Sequence, residues 1–421
     1  MTARLHRLSN GVTVLCDPMP GLETLAISVV VRGGARWEPK NRSGWSHLLE
    51  HMVFKGAAGR SAQEIIETVE SAGAQINAVT GYERTSFQIR ALKDRLELGL
   101  QVLADLVLRP TVDGDDLTRE KDVVAQEIAE AYDTPDDQVF EMAQAKAFDG
   151  QQLGRPILGT VKSIGTAEPA TLDAWRRALY APERLCVACA GAVDEDAVLA
   201  LAERLFAGMA PDAGPAAPEP GRFIGGHATL ARRIEQANLV WQLPGLGAGD
   251  PDRYASRLFV EILGGGMASR LFQEAREKRG LAYAIDAWAT AYEDTGVIGV
   301  FAGASADKAE ALSALVADEI RKLGEGVTDA ELARAKAQLE TGLFMAEESP
   351  LARAERAASQ TFMFGAPLSA EAIRTAVEAV TPADLARIGK RMLAPKACAT
   401  AVLGPRAGLK AGEAFGRALF A

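Results

Sequence analysis

Apolar positions recur along this chain with two different periods, and the switches between them mark out the elements. Arg7-Leu-Ser-Asn-Gly-Val-Thr-Val-Leu15 brings a β-branched run out of Asn10-Gly11, the pair that favours a two-residue hairpin turn. A second β-branched strand is predicted over Leu25 to Val31, and Thr85 to Leu92 alternates as a half-buried strand does. Elsewhere the spacing lengthens to that of a helix, from Ser43 to Lys55, Ser61 to Ala72, Asp94 to Leu108 and about Asp113 to Ala131. The second of these carries its own start and stop signals. Ser61 with Glu64 three residues later forms a capping box, and Gly73 is placed to end the helix.

Met209 to Gly221 breaks both periods, with four prolines in thirteen residues, a composition that favours an extended spacer. It separates residues 1–208 from residues 222–421, and the two parts resemble each other. Thr111-Val-Asp-Gly-Asp-Asp-Leu-Thr-Arg-Glu-Lys121 aligns with Val327-Thr-Asp-Ala-Glu-Leu-Ala-Arg-Ala-Lys336, which sets Val112 and Val327 215 positions apart. Ala181-Pro182 precedes an apolar strand with Cys186, and Ala394-Pro395 precedes one with Cys398, an offset of 213. Matching offsets at separate anchors point to duplication. The expected fold is therefore α+β: two homologous α/β-sandwich domains, each a mixed, mainly antiparallel sheet with helices packed on it.

Composition narrows the function classes. The 421 residues are 48% hydrophobic and 24% charged, a globular balance, and no run approaches the roughly 20 apolar residues needed to span a bilayer. Met1-Thr-Ala-Arg-Leu-His6 lacks the charged-then-apolar pattern of a signal peptide, so a cytoplasmic location and no membrane partner are expected. A formal charge of −10 and a pI near 5.2 argue against nucleic acid as a partner. That acidity serves solubility; whether it also lines a cavity for basic peptides stays open at this stage. Four cysteines are too few for a disulfide framework. Cys186 and Cys189 form a C-x-x-C, but within a strand-like run their side chains face opposite ways, so they are expected to be buried hydrophobes rather than chelators.

The chain has only four histidines, His6, His47, His51 and His227. Two of them fall in Gly44-Trp-Ser-His-Leu-Leu-Glu-His-Met-Val-Phe-Lys-Gly56, which contains H-x-x-E-H. Residues four apart on a helix stand one turn above each other, so His47 and His51 share a face, with Glu50 beside them and free to act as a base. Zinc suits such a pair, because it accepts imidazole, is redox-inert, and polarises water and carbonyl groups. A catalytic zinc needs a third protein ligand. Arg119-Glu-Lys-Asp-Val-Val-Ala-Gln-Glu-Ile128 offers Glu120 and Glu127, two helical turns apart on one face. Glu127 is the candidate ligand and Glu120 the candidate partner of an imidazole, the alternative being two solvated helix glutamates.

These residues resemble the pitrilysin/insulinase superfamily of peptidases, most closely the short-subunit branch that includes mitochondrial processing peptidase and its bacterial relatives. There H-x-x-E-H is followed by a glutamate about 76 residues on, and here Glu127 follows His51 by 76 (127 − 51). Asp122-Val-Val-Ala-Gln-Glu127 is similar to the family's D-V-x-x-x-E. The resemblance covers nearly the full length. It implies one zinc per chain, held by His47, His51 and Glu127, with Glu50 as general base and Glu120 supporting the site. Gly73-Ala-Gln-Ile-Asn-Ala78 is similar to the family's G-A-x-x-N-A, which implies that Asn77 and Ala78 meet the substrate backbone. Gly264 to Phe272 is similar to its glycine-rich segment, and no Lys-Ser/Thr follows those glycines to make a phosphate loop. Arg276-Glu-Lys-Arg-Gly-Leu-Ala-Tyr283 is similar to its R-x6-Y signature, which implies that Arg276 and Tyr283 hold the substrate carbonyl and stabilise the oxyanion.

The second half lacks its own ligands. Arg257-Leu-Phe-Val-Glu261 falls opposite His47-Leu-Leu-Glu-His51, Gly342 opposite Glu127, and Ala335 opposite Glu120. The resemblance further implies pairing, as a homodimer or alternatively a heterodimer, in which Arg276 and Tyr283 of one subunit complete the zinc site of another. The expected activity is that of a zinc metalloendopeptidase acting on unfolded peptides or presequences. Its rivals are a non-catalytic scaffold or partner subunit, and a hydrolase of some non-peptide amide.

Overall fold

The computed structural model describes residues 3–421. In the first half, β1 (Arg4–Arg7) and β2 (Thr13–Pro18) pair antiparallel with Arg7 opposite Thr13. The connection is therefore residues 8–12 rather than a two-residue turn at Asn10-Gly11. Gly11 does adopt a left-handed φ of 99°. The turn instead closes from Leu8 to Gly11, with Gly11 N–H on Leu8 O at 3.0 Å and Leu8 N–H on Val12 O at 2.9 Å, while the Asn10 amide donates to the carbonyls of Phe206 and Ala207. The remaining strands are β3 (Thr24–Val31), the short ribbon β4 (Gly56–Ala57) and β5 (Arg60–Ser61), β6 (Gln75–Thr80), β7 (Thr85–Leu92) and β8 (Leu185–Gly191). The main sheet runs β1-β2-β8-β3-β7-β6, and β6 is an open edge.

In the second half, β9 (Gly226–Ala231), β10 (Gln236–Gly245), β11 (Ala284–Ala291), β12 (Gly296–Ser305) and β13 (Ala399–Gly404) form a sheet in the order β11-β12-β10-β13-β9. Without β1, the first sheet reads β2-β8-β3-β7-β6, which is the same path as β9-β13-β10-β12-β11. The one parallel pairing falls at the same place in each, β2 with β8 and β9 with β13. The two sandwich domains are homologous in topology, as the sequence offsets anticipate.

The helices follow the same repeat. They are α1 (Trp45–Val53), α2 (Ala62–Ser71), α3 (Leu96–Leu108), α4 (Gly114–Asp133), α5 (Pro135–Ala147), α6 (Val161–Gly165), α7 (Pro169–Leu179) and α8 (Glu195–Phe206). The second half continues with α9 (Arg253–Gly264), α10 (Ala309–Glu325), α11 (Asp329–Glu347), α12 (Pro350–Phe364), α13 (Ala370–Glu378), α14 (Pro382–Leu393) and α15 (Ala411–Leu419). At the start of α2 the Glu64 N–H donates to the Ser61 hydroxyl and the Ser61 N–H to the Glu64 carboxylate, and Gly73 follows the helix at φ 68°. Among the described residues, no helix is long and apolar enough to cross a membrane.

Both faces of the first sheet are covered, which explains why β3 is buried at nearly every position rather than at alternate ones. On one face Ile27, Val29, Phe87 and Val187 pack with Leu48, Leu49, Met52, Leu100 and Leu179. On the other, Leu15, Val30, Cys186 and Ala188 meet Ala354, Ala357 and Ala358 of α12, where small side chains let the helix lie close. Cys186 and Cys189 thus serve opposite faces.

The compact units depart from the expected boundaries at 208 and 222. One comprises the chain up to Ile128, Pro156–Pro218 and Phe344–Ala370; the other comprises Ala129–Arg155, Glu219–Leu343 and Glu371–Ala421. Residues 209–221 do lack helix and strand. The difference lies in α5 and α12, each of which covers the sheet of the other half. Val139 and Ala143 of α5 pack against Val240, Ala401 and Leu403. An apolar sheet face needs a cover, and sequence order does not say which helix supplies it.

Candidate metal centre

Helix α1 carries two interleaved stripes. Trp45, Leu48, Leu49, Met52 and Val53 are buried on the core side. His47, Glu50 and His51, at the i, i+3, i+4 spacing, emerge on the other side only partly covered. Helix α4 presents a matching flank. Leu117 and Val124 enter the core, and Glu120 and Glu127 follow the same ridge, with Glu120 buried.

These two ridges bring His47, His51 and Glu127 together, the one three-residue group of possible metal ligands among the described residues. Oε2 of Glu127 lies 3.8 Å from Nε2 of His47 and 3.6 Å from Nε2 of His51. Both distances exceed the roughly 2.7–3.2 Å of a direct N–H···O hydrogen bond. They lie within a few tenths of the ~3.4 Å expected between two ligands each about 2.1 Å from one tetrahedral ion. The same Oε2 is buried and has no hydrogen-bond partner. Burial, and then the neighbouring His51 ring, pull the His47 imidazole down to about 4, so it is neutral near pH 7 with its lone pair available. Two imidazole nitrogens and a carboxylate form a donor set that zinc accepts.

Among the three side chains, the His51 ring is the one held by neighbouring groups. Nδ1 of His51 stands 3.0 Å from Oε2 of Glu120, which leaves Nε2 for the cluster. The other Glu120 oxygen receives Lys55 Nζ at 2.7 Å. Glu50 takes no part in the cluster's ligation set and accepts a hydrogen bond from the Thr80 hydroxyl at the end of β6. Burial raises the Glu50 carboxyl above its ordinary range, and the Thr80 bond opposes that rise. In the second half, Ala335 is buried on α11 where Glu120 is buried on α4.

Residues 13–161 match the family model described as insulinase (peptidase family M16), and residues 167–339 match the one described as peptidase M16 inactive domain. The chain belongs to the M16 family. Its relatives include a protein described as an uncharacterized zinc protease from Rickettsia bellii, 35% identical over 95% of this chain and 97% of that one. Another of that description, from Bacillus subtilis, is 32% identical over 86% of this chain and 88% of its own. Solved structures share the fold. A peptidase M16 inactive domain from Pseudomonas fluorescens superposes with a TM-score of 0.88 at 22% identity, covering 96% of this chain and 98% of that one. A chain of complex III2 from Candida albicans gives 0.86 at 18% identity, covering 99% of both.

The other residues singled out in this M16 chain lie as follows. Asn77 is exposed on the open edge strand β6, opposite Gln88. Ala78 turns its methyl toward the core, so only its main chain is presented to a ligand. Arg276 and Tyr283 belong to the second unit, both exposed. Arg276 sits in a π-type turn (Phe272–Glu277) over the Phe272 ring at 4.8 Å, and Tyr283 immediately precedes edge strand β11. The sequence reading missed two partners, Lys55 and Thr80. Lys55 is four residues past His51 and Thr80 is two past Ala78 on the same strand face, and those spacings were the available signal.

Proposed function

We propose that this chain is a zinc metalloendopeptidase that hydrolyses unfolded peptides or presequences laid as an added strand along the open edge of β6. The observation that carries the reading is the position of Glu127 Oε2, buried and unbonded between two imidazole nitrogens at 3.6 and 3.8 Å. Zinc, when bound by His47, His51 and Glu127, supplies Lewis acidity toward water and the scissile carbonyl. Glu50 accepts the proton of the attacking water and returns it to the departing amine. Burial raises its affinity for a proton, the direction that favours taking one from water. Thr80 holds the carboxylate in place from the strand that receives the substrate. Main-chain pairing to β6 reads backbone more than side chains, which suits many sequences.

Arg276 and Tyr283 take the part of substrate-carbonyl donors in this reading, contributed by a second copy in a homodimer or by a related chain. Their exposure agrees with a role toward a ligand rather than the core. The test is zinc content measured beside cleavage of a quenched peptide, with and without a chelator, in the wild type and in Glu50→Gln. Zinc-dependent cleavage that Glu50→Gln abolishes while keeping its metal supports the proposal. Full cleavage by Glu50→Gln defeats the assignment of Glu50. A chain that holds zinc yet cuts no peptide, by itself or beside a related partner chain, is a non-catalytic subunit instead.

A further inference from the structure

Helix α1 begins without a residue able to cap it. Gly44 takes the N-cap place at φ 88°, and a Cβ there would lie 2.4 Å from the carbonyl oxygen of Leu158. The constraint is mutual, since a Cβ on Gly159 would lie 2.3 Å from the carbonyl oxygen of Ser43. This backbone crossing excludes serine, threonine or aspartate at position 44, the usual suppliers of a cap. The first N–H groups of the helix still need partners.

Glu38 supplies acceptors for two N–H groups at this end from outside the helix. Its carboxylate, 1% exposed, accepts the Gly44 N–H at 2.7 Å on one oxygen and the Ser46 N–H at 2.6 Å on the other. A buried anion at this end also meets the positive pole of the helix. His47 is the next residue, in the first turn, so its ring direction depends on how that turn is held. The segment bearing Glu38 is itself anchored to the turn after β6. Ala35 N–H donates to Gly81 O at 3.1 Å, Arg36 N–H donates to Tyr82 O at 2.8 Å, and the Arg36 and Glu83 side chains form a buried pair at 2.6 Å. That turn directly follows Thr80, the partner of Glu50.

We infer that Glu38 is a positioning residue for the metal centre: its buried carboxylate closes the N-terminus of α1 and registers His47 against the end of β6. The inference rests on reading His47, His51 and Glu127 as a zinc site. Through one short segment, Glu38 ties the helix that bears the two histidines to the strand end that holds Glu50.

The experiment uses the full chain and its Glu38→Ala and Glu38→Gln variants, with Ser61→Ala as a control that removes the cap of α2 instead. Zinc affinity is measured by competition with a chromophoric chelator. The geometry of the ligands is read from the visible spectrum of the cobalt(II)-substituted protein, and the metal-free melting temperature is recorded. Glu38→Ala is expected to lose about tenfold or more in zinc affinity, the scale found for groups that orient ligands, and to change the cobalt bands. Glu38→Gln retains one acceptor and is expected to fall between. Ser61→Ala is expected to lower the melting temperature without moving affinity or spectrum. If Glu38→Ala yields no folded protein, Glu38→Gln decides. Folded variants with wild-type zinc affinity and cobalt spectrum, whatever their melting temperature, overturn the inference. Failure of the wild-type chain to bind zinc sinks the reading of the site, and this inference with it.

Discussion

His51 and Glu120 are joined by a 3.0 Å contact between the imidazole Nδ1 and a carboxylate that is almost wholly buried. The contact places the Nδ1 proton on the Glu120 side and turns Nε2 toward Glu127. Lys55 occupies the second oxygen of Glu120, so that carboxylate is held from both ends. Nδ1 of His47 has no such partner. Support for the two imidazoles is therefore unequal, and His51 is the one whose orientation is fixed by a side chain. Glu120→Ala is expected to weaken zinc binding by about 10- to 100-fold, measured by chelator competition. Lys55→Ala should weaken it less, since Glu120 remains. A larger loss in Lys55→Ala than in Glu120→Ala would contradict this order.

Thr80 makes a different prediction because it touches Glu50 and none of the ligands. Thr80→Val keeps the shape but removes the donor from a bond to a half-buried carboxylate. A hydrogen bond to a charged group contributes about 1.5–3 kcal/mol. If that is felt in the transition state, kcat falls roughly 10- to 100-fold. Zinc content should stay at the wild-type level and KM should move little. Steady-state kinetics beside metal analysis tests this, and an unchanged kcat would show that Glu50 does not depend on the threonine.

How far the sequence exposes this site follows from which distances are local. His47, Glu50 and His51 lie within one helical turn and a bit, so their common face follows from the helix period alone. Glu120 and Glu127 share a ridge for the same reason. The meeting of the two helices is a tertiary fact, and only the resemblance of spacing to a known family anticipated it. Thr80 and Lys55 escaped because a hydroxyl at a strand end or a lysine on a helix is ordinarily solvated. Glu38 escaped because its partners are backbone N–H groups, which leave no residue-type signature. The same limit applies to the fold: the capping box of α2 and the run of β7 were legible, whereas the exchange of α5 and α12 between the two units was not. Nothing local in an amphipathic helix names the sheet it will cover.

Glu331 gives the clearest dependence on acid. Arg270 grips it with two donors, Nε at 2.7 Å and Nη2 at 3.0 Å, and Thr328 at the start of α11 adds a backbone N–H. The Arg270 bonds, ahead of the Thr328 ones, hold the carboxyl down at about 2. An unfolded glutamate titrates near 4.3. The folded value is the lower one, so the contribution to stability is fully present above about 4.3 and is lost as pH falls through about 2. Glu331→Gln should therefore be less stable than the wild type at neutral pH, with the gap closing between about pH 4.3 and 2. Thermal melts across that range check it, and a gap that widens in acid would have the wrong sign.

The four cysteines supply the last test, because their environment contradicts what a C-x-x-C suggests by itself. All four are buried and free. Burial pushes Cys16 up to about 12 and Cys398 up to about 11, and raises Cys186 and Cys189 further, so none is a thiolate near neutral pH. A thiol must be deprotonated to attack a disulfide reagent or bind zinc. The native protein should accordingly react with a thiol-specific chromogenic disulfide only after unfolding, when all four groups become available. Cys186→Ala with Cys189→Ala should leave zinc stoichiometry unchanged, since the pair faces opposite sides of β8 and neither cysteine belongs to the His47, His51 and Glu127 cluster. Loss of one zinc equivalent in that double variant would mean that the metal sits on sulfur rather than on the imidazoles.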